Sequence, residues 1–451
     1  MDKTTSVLTG ELSDYLSRLF PICRSLSGSG NRETLAVLQE IIPLQIKEYR
    51  SLEKVFDWQI PPEWNIRDAW IKNSAGEKIV DFKKNNLHVV GYSVPVRAEI
   101  EFKDLVQRLH MLPQQPDAVP YRTSYYSRDW GFCVTQSQFR NLEVATGPLS
   151  VCIDSSLDQE GSMTIGELRI PGRSDTEFIM STYICHPSMA NDNLSGILIT
   201  AFLARMMINK GETNYSWRFV FVPETIGAIA YLSHNEQNIR NITGGFVVSC
   251  CGGPGPFGYK PTFLGNHLID RACSMVFKEN AIEPICFPFV PTGSDERQYS
   301  SPGFRIPVGT ISKDKYYEYP EYHTSLDNLD FVTGENLEKS YRIYADVIGM
   351  LVSNYRITSR FGKGEVNLGR RGLYPSLGGA VNPSSVESVS ENRSNSAARD
   401  REIDIINWLL FSADGKNDLL SVAESSGYCF KDISTVAKRL RSAGLIDGGF
   451  S

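Results

Sequence analysis

Residues 177–225 read EFIMSTYICHPSMANDNLSGILITAFLARMMINKGETNYSWRFVFVPET. The opening EFIMSTYI is a compact apolar run rich in aromatic and β-branched side chains, the pattern of a strand inside a buried sheet. Pro187 and the small polar residues after it keep the next segment out of helix. LSGILITAFLARMMINK, residues 194–210, then has helical length, and WRFVFVP is a second buried-strand run that delivers Glu224. Strand, helix and strand in this order imply an α/β layer fold with a mainly parallel sheet.

The same alternation extends outward over residues 143–357. GELRI precedes the stretch; GGFVVSC and FRIPVGTI follow it as further strands. Helical spacing is predicted at 226–239, 267–281 and 335–355. Toward the N-terminus, 10–20 and 32–48 show helical spacing, with Asn31 as N-cap of the second helix and Pro43 disturbing it. From 53 to 142 the character changes to short alternating runs such as NNLHVVGYSVPV, interleaved with Trp58, Trp64, Trp70 and Trp130 and broken by prolines. That pattern predicts a small β-rich unit with irregular loops.

Four regions result. Residues 1–52 and 143–357 are expected to form one discontinuous catalytic domain, and 53–142 an inserted β-rich domain. Residues 358–398 are an extension and flexible linker, the Ser/Asn-rich 376–398 being its flexible part. Residues 399–451 hold three short helices, the order of a helix-turn-helix or winged-helix module. From Arg399 to Ser451 there are seven basic and eight acidic residues. A nucleic-acid reader would normally be basic, so a protein partner is the expectation for this module.

Composition excludes several function classes. The chain has 451 residues, 41% apolar and 22% charged, with a formal net charge of −6. This is ordinary for a globular protein and lacks the basic excess of a nucleic-acid or membrane-surface binder. No apolar run reaches membrane-spanning length, and the N-terminal residues lack a signal-peptide core. The nine cysteines are scattered, without a CxxC pair, and read as reduced core residues of a cytoplasmic protein.

Only six histidines are present. His186 follows a strand directly, at the end where open α/β sheets place ligands. Asp192, six residues on, reads alone equally as a helix N-cap. Glu224 ends the next strand, where a carboxylate also favours a helix start. Asp295 lies in the polar loop PTGSDERQYSSPG and reads alone as a turn residue. His323 follows a Tyr-rich loop whose Tyr317 and Tyr322 are candidate pocket residues, packing being the alternative. Together, two imidazoles and several carboxylates at strand ends of one sheet suit a divalent metal such as zinc, with an open position for water. Gly28-Ser29-Gly30 lacks the context of a phosphate loop. CCGGPGPFGYK at 250–260 is expected to shape a wall of the site. Cys185 should point to the opposite face from His186. His88, His110, His234 and His267 are left as structural or surface residues.

YICHPSMANDNLSG, VPETIGAIAYL, GSDERQYSSPGF and YHTSLDNLDF resemble segments of the M28-type zinc aminopeptidases. More narrowly, with GRRGLYPSLGG and the C-terminal module, the chain resembles the bacterial aminopeptidase-like DUF4910 and DUF2172 proteins associated with surface polysaccharide gene clusters. The resemblance implies a zinc-aminopeptidase-like, mainly parallel mixed sheet flanked by helices. It implies one or two zinc ions: Asp192 bridging, His186 on one ion, Asp295 and His323 on the other, and Glu224 as general base. Two positions depart from the pattern. Thr225 stands where the peptidases carry a ligating glutamate, and Ser188 where they carry a carboxylate that supports the histidine. The expected activity is hydrolysis of peptide, aminoacyl or N-acyl amide bonds on a small substrate. A catalytically inactive metal- or ligand-binding protein with a partner-docking module is the alternative, and a homo-oligomer is compatible with either.

Overall fold

The computed structural model describes residues 3–371, 373 and 390–449. The chain divides into two compact units: Met1–Asp270 with Glu283–Ala345, and Arg271–Ile282 with Asp346–Ser451.

The first unit is built on eight strands: β1 (Gln45–Arg50), β2 (Ser162–Ile170), β3 (Glu177–Tyr183), β4 (Ser216–Val222), β5 (Ile242–Val247), β6 (Phe257–Lys260), β7 (Ile285–Cys286) and β8 (Val308–Lys313). Their order across the sheet is β1-β2-β4-β3-β5-β8-β6-β7. The central strands β4, β3, β5 and β8 are parallel; β1 and β2 run antiparallel to their neighbours, and β6 is antiparallel to β8 but parallel to β7. Every residue of β3 and β4 is buried, as their unbroken apolar runs require. Each fully buried Phe or Ile there contributes about 1.5–3 kcal/mol through the hydrophobic effect. The chain leaves β3 toward β4 on one side and later places β5 on the other. The carboxyl end of β3 is therefore a topological switch point, where such sheets open a crevice.

The helix Gly196–Lys210 returns from that crevice along the sheet, and nearly all of its first three turns are buried. Gly196 allows this: a Cβ there would lie 2.3 Å from the Val248 carbonyl oxygen. Helices Ile226–Asn235, Leu268–Glu279 and Gly334–Ser353 match the predicted helices closely.

Differences lie nearer the N-terminus. The helix expected over 32–48 spans Ser29–Gln39, and Gln45–Arg50 is the edge strand β1. Pro43 supplies no N–H and pushes its predecessor out of helical geometry, which releases the following residues to pair with β2. Nor is Asn31 the N-cap. Gly28 holds that place at φ 121°, where a Cβ would meet the Trp64 carbonyl at 2.2 Å. The Asn31 amide instead clamps the Ser25 backbone through both its ends.

Between β1 and β2 lies a four-stranded antiparallel sheet, ordered Lys78–Asp81, Glu63–Lys72, Leu149–Asp158, Val96–Ile100. It has its own core of Ile71, Val80, Leu105, Phe132, Leu142 and Val151. Leu149–Asp158, beyond the expected limit of the insert, is one of its two central strands. A chain segment of the insert reaches the end of β8's loop: Tyr121 N–H donates to the His323 carbonyl at 2.8 Å, and Ser325 N–H to the Val119 carbonyl at 2.8 Å.

In the second unit, helices Ser390–Ser412, Leu419–Ser426 and Phe430–Ser442 accompany a three-stranded antiparallel sheet of Asp414–Asp418, Arg356–Ser359 and Ile446–Gly449. This is a winged-helix arrangement. Asp418 caps the middle helix by accepting from Ser421 N–H, and Gly427 ends it in left-handed geometry. Leu409, Leu420, Ile433, Leu440 and Ile446 are buried among the apolar residues of this unit. The first helix begins at Ser390, inside the stretch expected as flexible linker; residues 376–389 of that stretch lie outside the described residues. Among the described residues no helix is long and apolar enough to cross a membrane. None of the nine cysteines is in a disulfide.

Candidate active site

β3 ends at Tyr183, and the chain turns over the crevice to carry His186, 3% exposed. Its carbonyl accepts from Arg24 Nε at 2.9 Å. Cys185 does not point away, as strand alternation had suggested. The strand has already ended, and Cys185 Sγ lies 3.4 Å from His186 Nδ1. The sulfur also accepts from Glu224 N–H at 3.2 Å, tying the ends of β3 and β4 together.

Residues 190–195 form an irregular turn before the helix Gly196–Lys210. Asp192 is not a helix cap. It is 1% exposed, and its backbone is held from outside the turn: Asp327 accepts Asn191 N–H through Oδ1 at 2.6 Å and Asp192 N–H through Oδ2 at 2.9 Å. Asp192 Oδ1 accepts from the Tyr183 hydroxyl, while Oδ2 has no hydrogen-bond partner. The Asp192–Asn193 peptide is cis. The glycine-rich segment after β5 stands behind this turn: Gly252 and Gly253 N–H donate to Asn191 Oδ1 at 2.7 and 3.2 Å.

His323 sits at φ 54°, a strained position for a residue other than glycine, and such strain gathers at functional sites. Tyr322 stacks on it with ring centroids 3.9 Å apart, and the Tyr121 ring packs against both His323 and His186. His323 Nε2 lies 3.0 Å from Asp192 Oδ2, yet both atoms lack hydrogen-bond geometry to any partner. His186 Nε2 is 3.9 Å from the same Oδ2. The three ligand atoms of His186, Asp192 and His323 lie within 4.8 Å of one another. Two buried polar atoms so close and unsatisfied fit a cation between them, since a buried polar group without a partner is otherwise costly. Zinc takes this donor set of two imidazoles and a carboxylate.

Electrostatics favour the same reading. Burial lowers the His186 pKa to about 4, leaving its ring neutral and its lone pair free. Burial alone would raise Asp192, but the neighbouring imidazoles and the Tyr183 hydroxyl hold it at about 2, an ionised carboxylate.

Glu224 lies beside the trio, with Oε2 3.9 Å from His186 Nε2 and 22% of its side chain open to the pocket. Ser294 Oγ donates to its Oε1 at 2.8 Å. Burial and the Asp192 charge raise the Glu224 pKa to about 7, against the Ser294 hydrogen bond. A carboxylate poised near neutrality suits proton transfer. Asp295, expected to share an ion with His323, is not in this group of three, and its Oδ2 is buried without a hydrogen-bond partner. Its Oδ1 accepts Thr225 N–H at 2.7 Å, and burial together with the Glu224 charge raises its pKa well above the carboxylate range. Thr225, at φ 64°, accepts from Arg297 Nη2 at 3.2 Å instead of facing the trio.

These groups open into a cavity of about 450 Å³. Tyr317 and Tyr322 both line it, with Trp58, Tyr125 and Tyr126 contributed by the insert. Tyr319 instead turns inward and donates to Asp327 Oδ2 at 3.1 Å. Sequence reasoning missed Asp327, Ser294 and Arg297, and turned Cys185 the wrong way. Asp327 had a weak signal, standing four residues after His323 in HTSLDNLDF; Ser294 and Arg297 flank Asp295, and nothing local marks their partners.

A sequence profile for a domain of unknown function, DUF4910, matches residues 13–354, and one for a winged helix-turn-helix matches 355–448. A Clostridium acetobutylicum protein, named for polysaccharide biosynthesis and an aminopeptidase-like domain, is 42% identical over 444 residues, 98% of each chain. A crystal structure from the same organism, described as a peptidase, superposes with a TM-score of 0.89 at 40% identity over 99% of this chain and 98% of the other. BSAP, a zinc aminopeptidase from Bacillus subtilis, superposes with a TM-score of 0.55 at 12% identity, covering 77% of this chain and 95% of its own. At that identity the likeness is one of fold.

Proposed function

The chain belongs to the DUF4910 family, and from that footing we propose that it is a zinc-dependent hydrolase of amide bonds acting in the manner of an aminopeptidase. The observation that carries this reading is the pair of unsatisfied atoms, Asp192 Oδ2 and His323 Nε2, 3.0 Å apart beside His186 and under Glu224. His186, Asp192 and His323 would hold one zinc ion, which when bound would polarise the scissile carbonyl and acidify the attacking water.

The protein's own groups do the rest. Glu224 Oε2 faces the trio and takes the proton from the attacking water, then returns it to the departing amine. Ser294 fixes the other oxygen of that carboxylate and keeps it aimed. Cys185 Sγ sits at Nδ1 of His186, the place where a ligating histidine usually donates its second N–H to a carboxylate or carbonyl, and so sets the ring's orientation. Tyr121 and Tyr322 pack on the imidazoles and exclude water from their faces. The aromatic wall around the cavity gives a small substrate apolar and hydroxyl-bearing surface to bind.

The relative's name supports a place in polysaccharide biosynthesis; an aminoacyl or N-acyl sugar precursor would then be the substrate. The winged-helix unit would then dock a protein partner, and nine cysteines outside disulfides suit a cytoplasmic setting. The test is release of amine from a panel of aminoacyl and N-acyl amides by zinc-loaded protein. Glu224→Gln should lower kcat by about a hundredfold or more while zinc binding persists. Undiminished turnover in that variant would remove Glu224 from the mechanism; no turnover on any amide would favour the binding-protein alternative.

A further inference from the structure

The cavity beside the trio contains one feature that amide hydrolysis alone does not use. Among its described lining residues the single Lys or Arg is Arg297. Its one hydrogen bond goes from Nη2 to the neutral Thr225 hydroxyl, at 3.2 Å. Nε is buried without a partner. Of the carboxylates nearby, Glu224 accepts from Ser294, Asp295 from Thr225 N–H, and Glu296 from the Thr310 hydroxyl at 2.7 Å; Asp295 Oδ2 and Glu296 Oε2 are left without a hydrogen-bond partner, yet Arg297 bonds to neither. Arg297 forms no ion pair among the described residues. A guanidinium is always charged and carries five N–H donors in a planar fork. Nε, buried away from water, is the donor whose isolation is costly unless a ligand completes the fork.

Arg297 is held in place by its neighbours. It follows Asp295 and Glu296 in a short helix whose two acidic side chains are fully buried, and the preceding Gly293 and Thr292 also line the cavity. Thr225, its partner, adjoins Glu224, so the guanidinium sits next to the proposed base.

We infer that Arg297 recognises a carboxylate carried by the substrate, so that the pocket selects anionic amides over their neutral counterparts. This rests on the hydrolase reading for the identity of the reacting bond, but the recognition itself does not require turnover. The fork geometry of the guanidinium matches a planar carboxylate through two parallel N–H···O bonds. A uniform aromatic wall would discriminate little between a carboxylate and an isosteric carboxamide; a half-buried guanidinium without an ion pair among the described residues would discriminate strongly.

The experiment uses zinc-loaded full-length protein and matched pairs: Asp-Ala-amide against Asn-Ala-amide, Ala-Glu-amide against Ala-Gln-amide, and Ala-Ala against Ala-Ala-amide. For at least one pair, kcat/KM should favour the carboxylate by about tenfold to a hundredfold, the worth of a charge-assisted hydrogen bond. Arg297→Met should collapse that ratio to near unity, and Arg297→Lys should restore part of it, retaining charge without the fork. Calorimetric affinities of the same pairs give the ratio even where nothing is cleaved. Absence of cleavage with a carboxylate preference in affinity would count against the hydrolase reading alone. Equal values within every pair for the wild type, or a preference that survives Arg297→Met, would overturn the inference.

Discussion

Replacing Asp327 by Asn probes how the site is held from behind. Asp327 never enters the cavity; its two oxygens each accept one backbone N–H, from Asn191 and Asp192, and Tyr319 adds a third donor. A carboxamide keeps one acceptor and turns an NH2 toward the second N–H, so one bond is lost and a donor faces a donor. Hydrogen bonds to a charged group contribute about 1.5–3 kcal/mol, and a buried N–H left without an acceptor costs about 1–3 kcal/mol. Part of this is relieved by movement of the 190–195 turn, which carries Asp192 away from His186 and His323. Loss of such an outer support typically weakens metal affinity about 10–100-fold. Competition against a chromophoric zinc chelator reads the affinity, and urea unfolding of the metal-free protein separates any loss of stability. Asp327→Asn should unfold more easily by about 1–3 kcal/mol and bind zinc at least about tenfold more weakly. Wild-type zinc affinity in this variant would refute the idea that Asp327 positions the ligand turn.

Two further outcomes follow from charges elsewhere. Arg218, buried between β2 and β3, pairs with Glu167 and Glu177, both buried; Arg218→Met leaves them only the half-exposed Lys47 and Arg169 as cationic partners and should cost about 3 kcal/mol in urea unfolding, the lower end for a broken buried pair. The Arg32 guanidinium, Ser162 N–H and Asn65 hold the Glu63 pKa down to about 2, against burial. A depressed carboxylate stabilises the fold fully above its ordinary value near 4.5 and loses this as pH falls toward 2. With Arg32 about a third exposed, the contribution is about 1–2 kcal/mol, so Glu63→Gln should flatten the stability–pH curve in that window and lower stability at pH 7.

The parts of the fold visible in sequence were those fixed by local pattern. EFIMSTYI and WRFVFVP are strands because nothing but a doubly covered sheet accommodates such runs, and a helix of the length of 194–210 must join them. Residues 45–50 failed because an edge strand, half exposed, carries no such run; its pairing with β2 is decided by a partner more than a hundred residues away. The strand Leu149–Asp158 was misallotted for the same reason, its partners lying at 63–72 and 96–100. Within the site, His186, Asp192 and His323 stood out because histidines are scarce and strand ends are where ligands bind. Asp295 looked equivalent by residue type and loop context. Only the fold shows one of its oxygens accepting from Thr225 N–H and the side chain outside the group of three. Cys185 was misread because alternation was extended two residues past the true end of the strand.

The central claim is that His186, Asp192 and His323 bind an ion together. Its most direct test is metal content of purified, zinc-incubated and desalted protein by mass spectrometry, for wild type and His323→Ala. One cluster with metal-ligand spacing is present among the described residues, so the wild type should carry about one zinc per chain and the variant close to none. Wild-type protein without zinc, or a His323→Ala variant that keeps a full complement, would contradict it.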